Sequence, residues 1–499
     1  MATAIELVSQ NPWWKNKDGI KQDKHLLTLE TSQIRWLPRI YYKFNFDKDT
    51  VYTLRGPRQV GKTTFLKMLI RELLKKQIDP RRIFYYTCDL VDTPAGLVNI
   101  VNAYLDTYRP RKKDRAYLFL DEVSSIRDWQ RGIKHLFDTG RLTNTSIILT
   151  GSHSLDIKKA YEKLPGRRGV LDDVPDKILV PMKFVEYVET RNGDLAKMID
   201  EIGLLHTIDR KKAINEILNG EIPEKIKGLS LYSKELTKLF NEYLITGGVP
   251  RVIDEYVKTG NLTEGVYRTY VDIVLGDLTR WNKKETYLRQ ILRRIIEAYG
   301  NSVGWNTLKQ GTDIASHNTI ADYADSLKDS FVLYYLNFYD VGRNGPLYQK
   351  DKKIHFYDPF FFHALRGWIS GTDPFTASQE FLNNEQNAGL LCESIVGNHL
   401  VRLAFNYSSQ QQLFDYENYL FYWRSGKGRE VDFITKLGKE HLMACEVKYT
   451  GDITRNDLHG IIDFKKTTNK AKGMILSKNT LQVRGGIPIL PIWLFLMLV

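Results

Sequence analysis

Cysteine is scarce in this chain, with three in 499 residues. Cys88, Cys392 and Cys445 lie far apart, each inside an apolar or strand-like run, with no CxxC pair or Cys/His cluster. That pattern excludes a disulfide framework and a zinc ribbon, and it fits buried, reduced thiols of a cytoplasmic protein. Long hydrophobic runs are also missing. The N-terminus has no apolar signal core, and the one extended apolar stretch, residues 487–499, is short of a bilayer span and contains Pro488 and Pro491. It reads as a buried terminal strand rather than an anchor, so no membrane partner is expected. Low-complexity tracts and internal repeats are lacking too, which excludes solenoids and disordered arrays.

What is present is globular: 42% hydrophobic and 26% charged residues, with length enough for three or four domains that each bury a core. The net charge of +13 favours an anionic partner, nucleic acid before a membrane surface. Spread over the whole chain, it is also what a solvated basic surface would give.

Residues 1–50 form a polar and aromatic lead-in containing Trp13, Trp14 and Trp36. From residue 51 short apolar strands alternate with amphipathic helices, the pattern of parallel βαβ units. Strands are expected at 51–54, 83–87, 117–120, 146–150 and 177–180, with Leu66, Leu69, Ile70 and Leu73 at helical spacing between the first two. Residues 51–185 thus make an α/β core. Residues 186–290 read as helical, interrupted at Gly247 and Gly248. A helix–turn–helix pattern follows within 291–370, and 380–499 reads as one helix leading into apolar hairpins of a second α/β domain.

Gly56, Pro57, Arg58, Gln59, Val60, Gly61, Lys62 and Thr63 match G-x-x-x-x-G-K-[ST], followed by Thr64, between an expected strand and an expected helix. Glycines there let backbone N–H groups wrap a phosphate. Lys62 would neutralise the β/γ oxygens and Thr63 would reach Mg²⁺. A glycine-rich turn before any helix is the alternative. Against it stands the strand Tyr117-Leu118-Phe119-Leu120, which ends in Asp121 and Glu122. Asp121 is expected to hold the Mg²⁺ shell and Glu122 to polarise the attacking water, so ATP and Mg²⁺ are the expected cofactors. Ser152, closing a strand rich in hydroxyls, is a candidate γ-phosphate sensor or a plain strand cap. Arg167 and Arg168 are candidate arginine fingers reaching a neighbouring subunit's nucleotide, or ordinary surface charge.

The ordered strings GPRQVGKTT, LFLDEV, ILTGS, LPGRRG and LVPMKFVEY, then YLITGGVPRVI, DKKIHFYDPFFFHALRGW and GREVDFI…CEVKYT, resemble a family of prokaryotic, often archaeal, AAA-type ATPases. The likeness runs from about residue 35 to the C-terminus. It implies a P-loop NTPase αβα sandwich with a helical lid, a winged helix-turn-helix and a C-terminal PD-(D/E)XK (restriction-endonuclease-like) α/β domain. The ATPase is expected to cycle its conformation within a homo-oligomer, a hexameric ring being one form.

Two stretches bear on DNA as partner. In residues 305–323, Leu308, Ile314, Ile320 and Tyr323 are spaced to form a small core. Ser316 is placed to cap a second helix that opens with His317, Asn318 and Thr319. Such modules also serve as packing units, and Asp322 and Asp325 oppose phosphate binding, offset by Arg289, Arg293 and Arg294. Further on, Asp432, Glu446 and Lys448 lie on two successive expected strands, the two acids fourteen positions apart. Residues i and i+2 of a strand share a face, so Glu446 and Lys448 project together. Asp432 and Glu446 as metal ligands with Lys448 beside a water are the requirements of phosphodiester cleavage. Glu393 is a candidate further acid on the preceding helix. Charged residues on a solvent face would produce the same letters. The expectation is a Mg²⁺-dependent ATPase acting on DNA with metal-dependent cleavage. The alternative is an ATP-switched DNA-binding or signalling protein whose nuclease-like domain does not cut.

Overall fold

The computed structural model describes residues 4–109, 111, 114–151, 174–409, 411, 414–438, 441–468 and 471–499. They fall into two units, Met1–Val180 and Pro181–Val499.

In the first unit five strands form a parallel sheet: β1 (Thr50–Arg55), β2 (Ile83–Thr87), β3 (Ala116–Asp121), β4 (Thr145–Gly151) and β5 (Asp176–Ile178). Their order is β2-β3-β4-β1-β5. The expected strands are all present, with ends shifted by no more than two residues. β3 and β4 are buried along their whole length, as parallel strands covered on both faces must be. After β1 comes the helix Lys62–Lys75, which buries Phe65, Leu66, Leu69, Ile70 and Leu73.

The role of the lead-in segment is visible only in the fold. β2 is an edge strand, and such an edge presents unpaired backbone groups. Residues 10–14 satisfy them with side chains. Trp13 and Trp14 both donate to the Ile83 carbonyl (3.0 and 2.8 Å), and Asn11 both donates to Tyr85 O (2.9 Å) and accepts from Tyr85 N (2.7 Å). Gln10 accepts from Thr87 N at 2.9 Å. Trp14 stacks on Tyr104 and Tyr108, and Trp13 is fully buried.

The second unit opens with helices, among them Phe184–Arg191, Ser233–Thr246, Pro250–Thr259 and Glu264–Arg280. The break at Gly247 and Gly248 is a docking point. A Cβ on Gly247 would lie 1.8 Å from Asp358 Oδ1, and one on Gly248 2.1 Å from Met182 O. Asp358 accepts from the N–H groups of Gly248 (2.8 Å) and Phe360 (2.9 Å), tying this corner to the helix Pro359–Ser370.

Ten strands make the second sheet, which is mixed. They are β6 (Ser302–Val303), β7 (Leu333–Asp340), β8 (Gly345–Leu347), β9 (Lys352–Phe356), β10 (Leu420–Arg424), β11 (Glu430–Leu437), β12 (His441–Lys448), β13 (Ala471–Ser477), β14 (Gln482–Arg484) and β15 (Ile487–Pro491). The order is β14-β15-β13-β12-β11-β10-β7-β9-β6, with β8 paired to β7. The junction is β7 with β10, parallel through Asn337–Phe421 and Phe338–Tyr422. Strands from residues 302–356 and from 420–491 therefore share one sheet, and the helix Glu385–Tyr407 carries Glu393. Ahead of β7 run the helices Glu285–Glu297, Trp305–Lys309 and His317–Asp329, with Leu308, Ile314, Ile320 and Tyr323 buried and Ser316 capping Asn318 N at 3.1 Å.

One expectation changes. The terminal apolar run is a strand only to Pro491 and continues as the buried helix Ile492–Leu498. Proline has no N–H to extend the ladder, and a run apolar on every side suits a helix buried all round. Among the described residues no helix is long and apolar enough to cross a membrane.

Candidate functional site

The loop between β1 and the helix Lys62–Lys75 is shaped by its glycines. A Cβ on Gly56 would meet the Leu179 carbonyl oxygen at 1.9 Å, and Gly61 has φ +101°, which side-chain-bearing residues rarely adopt. Arg58 and Gln59 face outward to different degrees, Val60 is buried, and Thr63 and Thr64 open the helix half-buried. Lys62 is buried, its Nζ donating to the carbonyls of Gly56 (2.9 Å) and Pro57 (3.0 Å). The ammonium thus sits over the loop whose N–H groups would cradle a phosphate.

Asp121 ends β3 in the interior, and three hydroxyls converge on it. Thr63 Oγ1 (2.7 Å) and Tyr85 OH (3.0 Å) donate to Oδ2, and Thr150 Oγ1 donates to Oδ1. One hydroxyl and one carboxylate side by side are hard oxygen donors, so Thr63 and Asp121 fit Mg²⁺. Glu122 turns out of the strand with φ +53°. Its N–H donates to Thr150 Oγ1 (2.9 Å) and its Oε1 accepts from Ser124 (3.0 Å). The strand end therefore holds two carboxylates in different settings, one locked among donors and one at the rim. Thr150 and Tyr85 escaped the sequence reading. Thr150 lies in the hydroxyl-rich strand already suspected as a sensor, whereas Tyr85 carries no sequence signal. Ser152, Arg167 and Arg168 lie outside the described residues.

In the second unit Glu393, Asp432, Glu446 and Lys448 come together, with two residues that the sequence reading did not include. Lys353 on β9 is fully buried, and its Nζ lies 2.6 Å from Glu393 Oε1, 2.7 Å from Glu430 Oε1 and 2.8 Å from Asp432 Oδ1. Asp432 Oδ2 accepts from Val447 N at 2.8 Å. Lys448 pairs with Glu446 at 2.8 Å, and the second Glu446 oxygen is buried without a hydrogen-bond partner. Among the described residues no group of three or more His, Cys, Asp or Glu side chains is placed to hold a metal ion. Lys353 gave little signal, because a lysine on a strand ordinarily reads as a solvated face.

Burial, then the Asp432 charge, pushes the Glu393 carboxyl up to about 8, with Lys353 opposing. Burial likewise raises Glu446 to about 7, against Lys448. Burial disfavours the Lys353 ammonium, but Asp432, Glu393 and Glu430 outweigh it and hold its pKa well above the ordinary value. Asp432 is lowered, since Lys353 and Lys448 overcome its burial. His355, 3.8 Å from Glu393, is pushed down to about 3 by burial and then by Lys353, so it stays neutral. A carboxyl raised in the fold stabilises fully below its unfolded pKa and loses that contribution as pH rises through the folded value. Stability of this unit should therefore fall from about pH 4.5, the ordinary glutamate value, to about pH 8, by which Glu446 and then Glu393 have ionised in the fold. In Glu393→Gln the fall should be shallower, as read from urea midpoints at the two pH values; an unchanged slope would count against a buried, titrating Glu393.

Residues 48–188 match the family model described as an AAA domain. Those residues are a AAA-type P-loop ATPase domain. Beyond that domain the matches carry no activity: residues 237–372 and 388–495 match two domains of unknown function (DUF8612 and DUF4143). Two uncharacterized proteins of Methanocaldococcus jannaschii are each 25% identical. One aligns over 62% of this chain and 61% of its own length, the other over 79% and 74%. The chain thus spans less than two thirds of the first of these relatives. Among solved structures, the Walker-type ATPase of Pyrococcus abyssi is 16% identical with TM-score 0.37, covering 70% of this chain and 97% of that one. The ORC1 protein of Aeropyrum pernix, solved in complex with DNA, is 12% identical with TM-score 0.29, covering 74% and 98%.

Proposed function

We propose that the protein couples Mg²⁺-dependent ATP hydrolysis in its AAA domain to binding or remodelling of DNA by its C-terminal half. The observation that carries the hydrolytic part is the convergence of Thr63 on Asp121 beside the Lys62 loop, with Glu122 at the rim. Lys62 would bind the β/γ-phosphates, Thr63 and Asp121 would hold Mg²⁺, and Glu122 would orient water as general base. Mg²⁺, when bound, would neutralise phosphate charge. A homo-oligomer, with a hexameric ring as one form, agrees with the AAA type of the domain.

For DNA, support comes from the helices Trp305–Lys309 and His317–Asp329 followed by β7 and β9, the order of elements in a winged helix-turn-helix. His317 and Asn318 are exposed at the start of the second helix. The acids that would repel phosphate are already paired, Asp322 with Lys283 and Asp325 with Lys328 (3.0 Å). Arg289 is stacked on Trp368 and Arg294 is paired with Glu297, which leaves Arg293 as the exposed arginine of that helix. Tested by fluorescence anisotropy on duplex DNA, His317→Glu with Asn318→Asp should weaken binding by about tenfold or more through repulsion of phosphates. Equal binding by both proteins would remove this module as the DNA contact.

Of the two readings of the PD-(D/E)XK-like face, the Lys353 contacts favour a domain that binds without cutting. Incubation with duplex, single-stranded and branched DNA plus Mg²⁺ or Mn²⁺ should then give no cleavage. Cleavage that disappears in Asp432→Ala or Lys448→Ala would instead establish a nuclease.

A further inference from the structure

The acidic centre of the second unit contains its own cation. We infer that Lys353 is a built-in counter-ion, occupying the position among Glu393, Glu430 and Asp432 that a divalent metal would need and closing the centre to metal. An ammonium has three N–H donors, and Lys353 Nζ has three carboxylate oxygens within 2.8 Å. A divalent ion would sit about 2.0–2.6 Å from the same oxygens, which is the space Nζ fills. Like charge and volume both exclude it.

The remaining oxygens are mostly committed. Asp432 Oδ2 is held by the Val447 N–H, and Glu430 Oε2 accepts from Arg424 Nε at 2.9 Å. Among the described residues of this group, Glu393 Oε1 and Glu446 Oε2 are buried without a hydrogen-bond partner; the first is ion-paired with Lys353 Nζ at 2.6 Å, and the single oxygen left over is not a coordination shell. Lys353 has little freedom to leave. Its residue pairs with Ser302 of β6 and Leu336 of β7, so the backbone is held from both sides. Alternation along β9 sends its neighbour Lys352 elsewhere, to the carbonyls of Tyr348 and Lys350 at 2.6 Å each. Two adjacent lysines thus serve different ends, and only one faces the acids.

The test is Mn²⁺ binding by the full chain without nucleotide, followed by the electron paramagnetic resonance signal of the free ion. Neither hydrolysis nor DNA binding enters the readout, so the outcome is separable from that of the functional proposal. Wild-type protein should show no Mn²⁺ site sensitive to Glu393→Gln. Lys353→Met should gain one site at least tenfold tighter than any wild-type background, and Lys353→Met with Glu393→Gln should lose it. Should Lys353→Met not fold in metal-free buffer, refolding with Mn²⁺ should recover it, because the ion replaces the lost charge. The inference is overturned if wild-type protein binds Mn²⁺ in a Glu393-dependent way. It is equally overturned if folded Lys353→Met gains no site, or if Mn²⁺ fails to rescue an unfolded one.

Discussion

Replacing Lys62 by alanine is expected to abolish ATP turnover, with steady-state hydrolysis falling by at least about a hundredfold. The magnitude follows from where the charge sits. Lys62 is buried beside the Gly56 and Pro57 carbonyls, so its ammonium acts in a low dielectric and needs little reorganisation to meet phosphate oxygens. Alanine removes the charge and leaves the loop glycines in place. Glu122→Gln separates chemistry from binding: turnover should drop by about 10²–10⁴-fold while fluorescent ATP analogues still bind. Undiminished hydrolysis in Lys62→Ala would refute the assignment of this loop. Undiminished hydrolysis in Glu122→Gln would move the base elsewhere.

The second large effect concerns stability. Trp13→Ala should destabilise the AAA domain by about 3–5 kcal/mol, as loss of a fully buried tryptophan does. At ~2–4 °C per kcal/mol for a unit of this size, the melting temperature should fall on the order of 10 °C. Two terms combine here. The indole leaves a cavity, and the Ile83 carbonyl keeps only the Trp14 donor. Asn11→Ala should also destabilise, by about 1–3 kcal/mol for each buried backbone group of Tyr85 left unpaired. A melting temperature unchanged in Trp13→Ala would mean that the lead-in does not stabilise the sheet.

The parts legible in the sequence were those written in local pattern. The strands of the first unit, the phosphate loop and the helix after it follow from short apolar runs, glycines and a 3.6-residue period, which depend on neighbours a few positions away. The small core at Leu308, Ile314, Ile320 and Tyr323 was legible for the same reason. The terminal run was misread in part, because an unbroken apolar stretch is compatible with a strand or a buried helix and only Pro491 marks the change.

Long-range pairings were beyond that reach. Nothing near Asn11 says that its amide will close the edge of a strand more than seventy residues away. Nothing near Tyr85 says that its hydroxyl will meet Asp121. The sequence by itself determined the chemistry available: a phosphate-binding loop, two acids after a strand, and an acid–acid–lysine set in the C-terminal half. Only the tertiary structure decided what that second set is paired with. One sheet carries both β9 and β11, and its folding brings Lys353 to Asp432 across 79 positions. A buried charge must find its opposite wherever the fold puts one, and that partner is chosen by packing rather than by spacing.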